Sequence, residues 1–112
     1  MSARLRADIW VSAYLRRCAS EGAFAALRRR GAAEGGAIFI KIDRLDGSAA
    51  LLGPALAASA PESGERLFER LIDNGIPDQI EERMIREIRF DPDLWFVEIE
   101  DRSGRSFVDE VS

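Results

Sequence analysis

A chain of 112 residues is long enough for one domain with a sizeable core, and its single cysteine, Cys18, rules out an intramolecular disulfide and any cysteine-built metal cluster. It has no histidine and no threonine, which excludes Ser-His and Cys-His nucleophile pairs, histidine metal ligation and the usual near-neutral general base. The net charge of −4 divides into +5 over residues 1–42 and −9 over residues 43–112, so opposite halves can attract one another within the fold or between copies.

No apolar run approaches the roughly 20 residues that span a bilayer, and Met1 to Arg6 is not followed by the apolar core of a signal peptide. The chain therefore reads as a cytoplasmic protein with no membrane partner. Fifteen of its sixteen basic residues are arginine, Lys41 being the exception.

In chain order, residues 5–22 begin with alternation (Leu5, Ala7, Ile9, Val11) and continue at helical spacing (Val11, Tyr14, Leu15, Cys18), which predicts a short extended entry and then a helix. Asp8 or Ser12 can cap its start, Gly22 suits the left-handed position past its end, and Arg16 and Arg17 suit its C-terminal dipole. Phe24 to Arg30 reads as a strand ended by Gly31. Residues 37–45 form a clearer strand, with Ile38, Ile40 and Ile42 on one face and Phe39, Lys41 and Asp43 on the other. Asp46-Gly47 predicts a two-residue hairpin into a returning strand at 48–53, stopped by Gly53-Pro54. The small, polar, proline-bearing stretch up to Gly64 reads as a mobile loop.

Residues 65–72 fit either periodicity, and a strand is favoured, followed by a turn at Asp73-Asn74-Gly75. Ile80, Met84, Ile85 and Ile88 then mark an amphipathic helix. Asp78 with Glu81 gives a capping-box signature, and Glu82 with Arg86 an i, i+4 ion pair. Pro92 denies the α region to Asp91 and must end that helix. From Leu94 to Asp101 the pattern alternates, with Trp95, Val97 and Ile99 on one face and Leu94, Phe96, Glu98 and Glu100 on the other. Ser103-Gly104 signals a turn, and Phe107 and Val108 a short last strand.

Three constellations bear on chemistry. Glu98 and Glu100 share a strand face about 7 Å apart, and with Asp93 they offer the spacing a hydrated divalent ion could bridge; the competing reading is a turn followed by the wet end of a half-buried strand, opposite Lys41 or the arginines. Arg28-Arg29-Arg30 beside the glycines Gly31, Gly35 and Gly36 could hold a phosphate, but the spacing matches neither a P-loop nor a dinucleotide fingerprint. With no interleaved aromatics and an acidic chain, nucleic-acid binding through the basic half is the weakest reading. Trp10 and Trp95 read as core or interface anchors. If both helices cover the Trp95 face, Phe96 and Leu94 need another cover, for which a second copy of the chain is the simplest candidate.

Taken together, Trp10-Val11-Ser12-Ala13 with Arg16-Arg17, Gly35 and Ala37 ahead of the Ile38 strand, and above all Arg86-Glu87-Ile88-Arg89-Phe90-Asp91-Pro92-Asp93-Leu94-Trp95 with Glu98 resemble domain-of-unknown-function family 1491, a family of small, mostly alphaproteobacterial proteins. The resemblance covers nearly the whole chain. It implies a single-domain bacterial protein and transfers no catalytic residue. Members often carry Gly-Asp where this chain has Gly31-Ala32, so no ligand role for an acid there carries over.

The expectation is a single α+β domain over residues 1–112: an antiparallel sheet of about four to six strands, in the order α-β-β-β-(β)-α-β, with two helices packed on one face. No catalytic residue and no cofactor is called for. The leading functional expectation is a non-enzymatic binding or protein-interaction module that self-associates, using Trp95, Phe96, Arg28, Arg29 and Arg30. The alternative is a divalent-metal-dependent phosphate-processing enzyme using Asp93, Glu98 and Glu100.

Overall fold

The apolar residues of the chain are divided between the two faces of one sheet in the computed structural model, which describes residues 5–55 and 65–111. The elements run α1 (Ala7–Ser20), β1 (Phe24–Arg29), β2 (Ile38–Asp43), β3 (Ala49–Pro54), β4 (Phe68–Gly75), α2 (Pro77–Phe90) and β5 (Trp95–Glu100). This is an α+β fold in the expected element order. The five strands lie in the order β1-β5-β2-β3-β4. The sheet is antiparallel except at its centre, where β2 and β5 run parallel, with Lys41 opposite Glu98.

Local chemistry explains most element ends and several departures from expectation. Helix α1 begins at Ala7, directly after an extended Arg6 (φ −57°, ψ 145°), so the alternation from Ala7 to Val11 lies within the helix; neither Asp8 nor Ser12 caps it, and Arg6 holds the cap position without a side-chain bond. Asp8 instead accepts from Ile9 N–H and from the Arg6 guanidinium, an acid in the first turn where the helix dipole favours it. Gly22 adopts the left-handed conformation past the helix end, as expected. The β2–β3 hairpin is wider than two residues. Asp43 pairs with Ala49, leaving residues 44–48 as the turn, with Leu45 as well as Gly47 at positive φ. Asp73-Asn74-Gly75 continues β4 rather than turning. The cap of α2 is Ile76, whose N–H donates to Gln79 Oε1, so Asp78 and Glu81 make no capping box. The i, i+4 pair on α2 is Arg83 with Glu87 at 2.9 Å, not Glu82 with Arg86. Phe107 and Val108 form no strand; Phe107 has positive φ, and the C-terminal segment instead bridges to Phe68 at Glu110. The stretch expected as a mobile loop lies mostly outside the described residues.

The two helices sit on opposite faces, which corrects the expectation that both cover one. On the first face α1 buries Val11, Tyr14 and Cys18 against Ile38, Ile40, Trp95 and Val97. On the second, α2 buries Ile80 and Met84 against Phe39, Leu51, Leu94 and Phe96. The parity of β5 dictates this. Leu94 and Phe96 alternate with Trp95, so a strand apolar on both sides needs a layer on each. On α2, Ile85 is turned about 100° from Met84 and stays exposed.

What locks β5 into the middle of the sheet is the β1–β2 connection, which crosses its start. Ala32 N–H donates to Asp93 O at 2.8 Å, Trp95 N–H to Ala37 O at 2.7 Å, and Trp95 Nε1–H to Ala32 O at 2.8 Å. Asp91 Oδ1 accepts from Asp93 N–H, holding the proline corner. Gly31 and Gly36 are required because a Cβ at either would overlap Asp93 O. Trp95, 1% exposed, thus packs through its ring and satisfies its one polar atom in the same loop.

Gly31→Ala is expected to lower unfolding stability by about 3 kcal/mol, the upper end for overpacking. Gly35→Ala, where the new methyl meets open space, should stay within about 0.5 kcal/mol. Urea unfolding of both variants measures the contrast.

Candidate interaction surface

The two ends of the sheet differ. At one end β4 is occupied at its start by the C-terminal segment: Phe68 N–H donates to Asp109 O, Val111 N–H donates to Phe68 O, and Arg70 pairs with Glu110 at 2.8 Å. At the other end, β1 is bonded on one side to β5 and has no strand on its outer side among the described residues. An edge strand of this kind presents backbone N–H and C=O groups to any extended chain.

Apolar side chains flank that edge. Phe24 is 65% exposed and Leu27 41% exposed. On the α1 side a shallow groove of about 360 Å³ is bordered by Asp8, Ile9, Ser12, Leu27 and Arg30. On the α2 side a groove of about 310 Å³ is bordered by Arg28, Glu81, Ile85, Ile88 and Phe96. A bulge at Arg28, where Leu27 pairs with Val97 but Arg29 with Phe96, ends the regular part of the edge. Bulges and arginines at an edge limit how much chain can add to it.

The arginine run is engaged within the fold. Arg28 donates to both Glu81 oxygens and to Glu98, and its guanidinium lies over Phe96. Arg29 donates to Pro92 O at 2.8 Å, and Arg30 lies over the Trp95 ring at 5.2 Å. None of the three is presented free beside the glycines as a phosphate cradle. Trp95 and Phe96, expected as contact residues, are 1% and 3% exposed; each is covered by its own helix layer, so neither side chain reaches a partner. The covering of Leu94 and Phe96 by α2 also removes the reason first given for a second copy. The exposed residues at this edge, Phe24 and Leu27, were missed, although their place in a strand bounded by Gly22 and Gly31 was legible.

The acidic residues do not converge on an ion. Glu98 faces Lys41 across the parallel pair at 3.7 Å and Arg28 on β1, which is the half-buried-strand reading with Lys41 and an arginine opposite. Asp93 lies in the corner before β5, where its backbone is bound to Asp91 and Ala32. Among the described residues no three acidic or cysteine side chains are grouped as metal ligands. Cys18 is fully buried on the apolar stripe of α1, and burial pushes its thiol pKa up, as an inert core cysteine requires.

Lys41, 5% exposed, is the buried member of a four-charge network, bonded to Glu81 at 2.8 Å. Arg28, Glu98 and Glu81 complete it, and so three strands are tied to the first turns of α2. The Glu81 carboxyl is held down at about 2, first by its hydrogen bonds from Arg28 and then by Lys41, against the opposing effect of burial. A carboxylate depressed from 4.5 contributes stability that is complete above its unfolded pKa and lost as pH falls through its folded one. Glu81→Gln should therefore lower stability at pH 7 by about 1–2 kcal/mol, a value kept small because Glu81 is itself a third exposed. The difference between native chain and variant should shrink from about pH 4.5 to about pH 2. Thermal unfolding across that range measures it.

Three solved structures share this architecture. A crystal structure of a DUF1491 family protein from Caulobacter crescentus is 36% identical, with a TM-score of 0.81, covering 98% of this chain and 100% of that one. An NMR structure of a DUF1491 family protein from the same organism is 38% identical, with a TM-score of 0.81 and 99% and 100% coverage. A protein from A. tumefaciens solved in solution is 40% identical, with a TM-score of 0.78 and 88% and 86% coverage. No protein of curated function matches the chain. The family model described as a protein of unknown function, DUF1491, matches residues 5–109. With the DPDLW corner now seen as the clasp that centres β5, and with the family model spanning nearly every described residue, the chain belongs to the DUF1491 family.

Proposed function

We propose that this protein is a non-enzymatic protein-interaction module of the cytoplasm that docks, and self-associates, through the outer edge of β1. The observation that carries the reading is a strand edge with no strand partner among the described residues, with exposed Phe24 and Leu27 on its two faces. Strand addition derives affinity from main-chain hydrogen bonds and selectivity from alternate side chains, and this edge supplies both.

An enzyme reading has less to stand on. The polar cluster with the most charge, Arg28, Lys41, Glu81 and Glu98, is internally neutralised, two cations against two carboxylates in mutual contact. Groups so satisfied gain little from a substrate and lose their own partners to bind one. Arg28, Arg29 and Arg30, the residues nucleic-acid binding would use, are likewise committed to Glu81, Pro92 O and the Trp95 ring.

Sedimentation equilibrium is expected to show concentration-dependent dimerisation at both low and high salt, because hydrogen bonds and apolar contacts, rather than long-range charge, dominate strand addition. A strict monomer at high concentration in both salts would overturn self-association.

A further inference from the structure

We propose that the β1 edge takes an extended, acidic segment of a partner protein, one that sets a carboxylate, an apolar side chain and a second carboxylate at alternate positions along the groove between α1 and β1. The inference rests on the proposal that this edge is a docking surface, and adds the chemistry of the partner.

The groove has a direction. α1 and β1 run antiparallel: they are joined by a short turn at Gly22, and the chain leaving β1 returns to the start of the helix, where Asp8 N–H donates to Ala33 O at 3.0 Å. Arg16 therefore borders the groove toward the start of β1, and Arg30 borders it just past the strand's end, beside the first turn of α1. The step along α1 from Asp8 to Arg16 is about 12 Å. Between the two arginines the walls are apolar. Ile9 from the helix and Leu27 from the strand are both exposed, Trp95 lies between them, and the Ser12 hydroxyl stands midway.

The fold leaves both cations unneutralised. Arg6, Arg28, Arg44, Arg70, Arg83 and Arg105 each pair with a carboxylate of this chain. Arg16 and Arg30 pair with none among the described residues. Arg30 has the Trp95 ring, and a guanidinium stacked by its face keeps its N–H edge for an acceptor. Asp8 also borders the groove, but its carboxylate is held by Arg6 at 3.2 Å, which leaves the positive charges of Arg16 and Arg30 in surplus.

A strand laid along β1 matches this layout. Its alternate side chains share one face about 7 Å apart, so the first and third of three lie about 13 Å apart, close to the helical step between the arginines. On the α1 side β1 itself shows Ala25, Leu27 and, past the bulge, Arg30. The middle side chain of the added segment then lies beside Leu27 and Ile9, with one carboxylate at Arg16 and the other at Arg30, each offered a guanidinium fork. Regular pairing stops at the bulge, so the carboxylate at Arg30 is held by its side chain alone. A basic segment would bring like charge to both ends, and a wholly apolar one would strip water from two arginines without replacing it.

The test uses the full chain, below the concentration at which it associates, with the dye-labelled peptide Thr-Glu-Thr-Leu-Thr-Glu-Thr and its counterpart carrying glutamine for both glutamates. Fluorescence anisotropy is expected to show the glutamate peptide binding about tenfold more tightly at low salt, about threefold for each exposed pair, with the advantage shrinking at high salt. Arg16→Gln, at an exposed position with no ion pair to lose among the described residues, should weaken the glutamate peptide about threefold while leaving the glutamine peptide and the melting temperature unchanged. Arg30→Gln reads the other end of the groove in the same way. Amide shifts on binding should fall on β1 and on the Ser12 to Arg16 stretch of α1. Equal binding of the two peptides, binding by neither, or glutamate-peptide binding unmoved by both arginine variants overturns the acidic partner and leaves the β1 edge to stand or fall on dimerisation of the native chain. Binding of the glutamate peptide that shifts α1 while leaving the β1 amides untouched overturns strand addition at the edge, and this inference with it.

Discussion

The crossing of the β1–β2 connection over the start of β5 is the contact on which the rest of this molecule depends. One indole, Trp95, places its ring in the α1-side core and its N–H on Ala32 O, while the Asp93 carbonyl accepts from Ala32 N–H. The loop can come this close only because Gly31 and Gly36 have no side chain. The consequence is topological: the last strand is delivered between β1 and β2, pairing parallel with one and antiparallel with the other. A late strand in the centre of a sheet pushes the first strand to the rim. The place of β1 at the rim of the described sheet follows from the clasp.

The second constraint is charge. Lys41 is drawn into the sheet by β2, whose neighbours along the strand are core isoleucines. A buried ammonium without partners would cost far more than the strand gains, and two carboxylates from α2 and β5 offset it. Arg28 balances the second carboxylate, so the network is neutral as a unit. This is where the uneven halves of the sequence meet, Arg28 of β1 and Lys41 of β2 against Glu81 of α2 and Glu98 of β5. The charge division is spent on holding the α2 layer to the sheet, with only the ends of the network in water.

Much of this was legible in the sequence where a local rule applied. Pro92 ends α2 at Phe90, Gly22 takes the left-handed position, and alternation places Trp95 and Phe96 on opposite faces. Rules that needed a partner elsewhere in the chain did less well. Two apolar faces on β5 were visible, yet assigning one helix to each required knowing that β5 is central. The hairpin at Asp46-Gly47 widened because Asp43 Oδ1 accepts from Leu45 N–H and Asp46 Oδ1 from Ser48 N–H, side-chain bonds that compete with the tight turn. Trp95 and Phe96 were singled out as contact residues because large aromatics anchor interfaces as readily as cores. Only the position of their strand decides between the two, and that position is set by the Gly31–Gly36 loop.

Amide hydrogen exchange, followed residue by residue at protein concentrations below and above the onset of association, tests most directly the claim that β1 is the surface through which this protein binds. The account requires protection to rise with concentration at the alternate β1 amides that point away from β5, while the amides of β4 stay unchanged. Association accompanied by unaltered exchange along β1, or by new protection confined to β4, would contradict it.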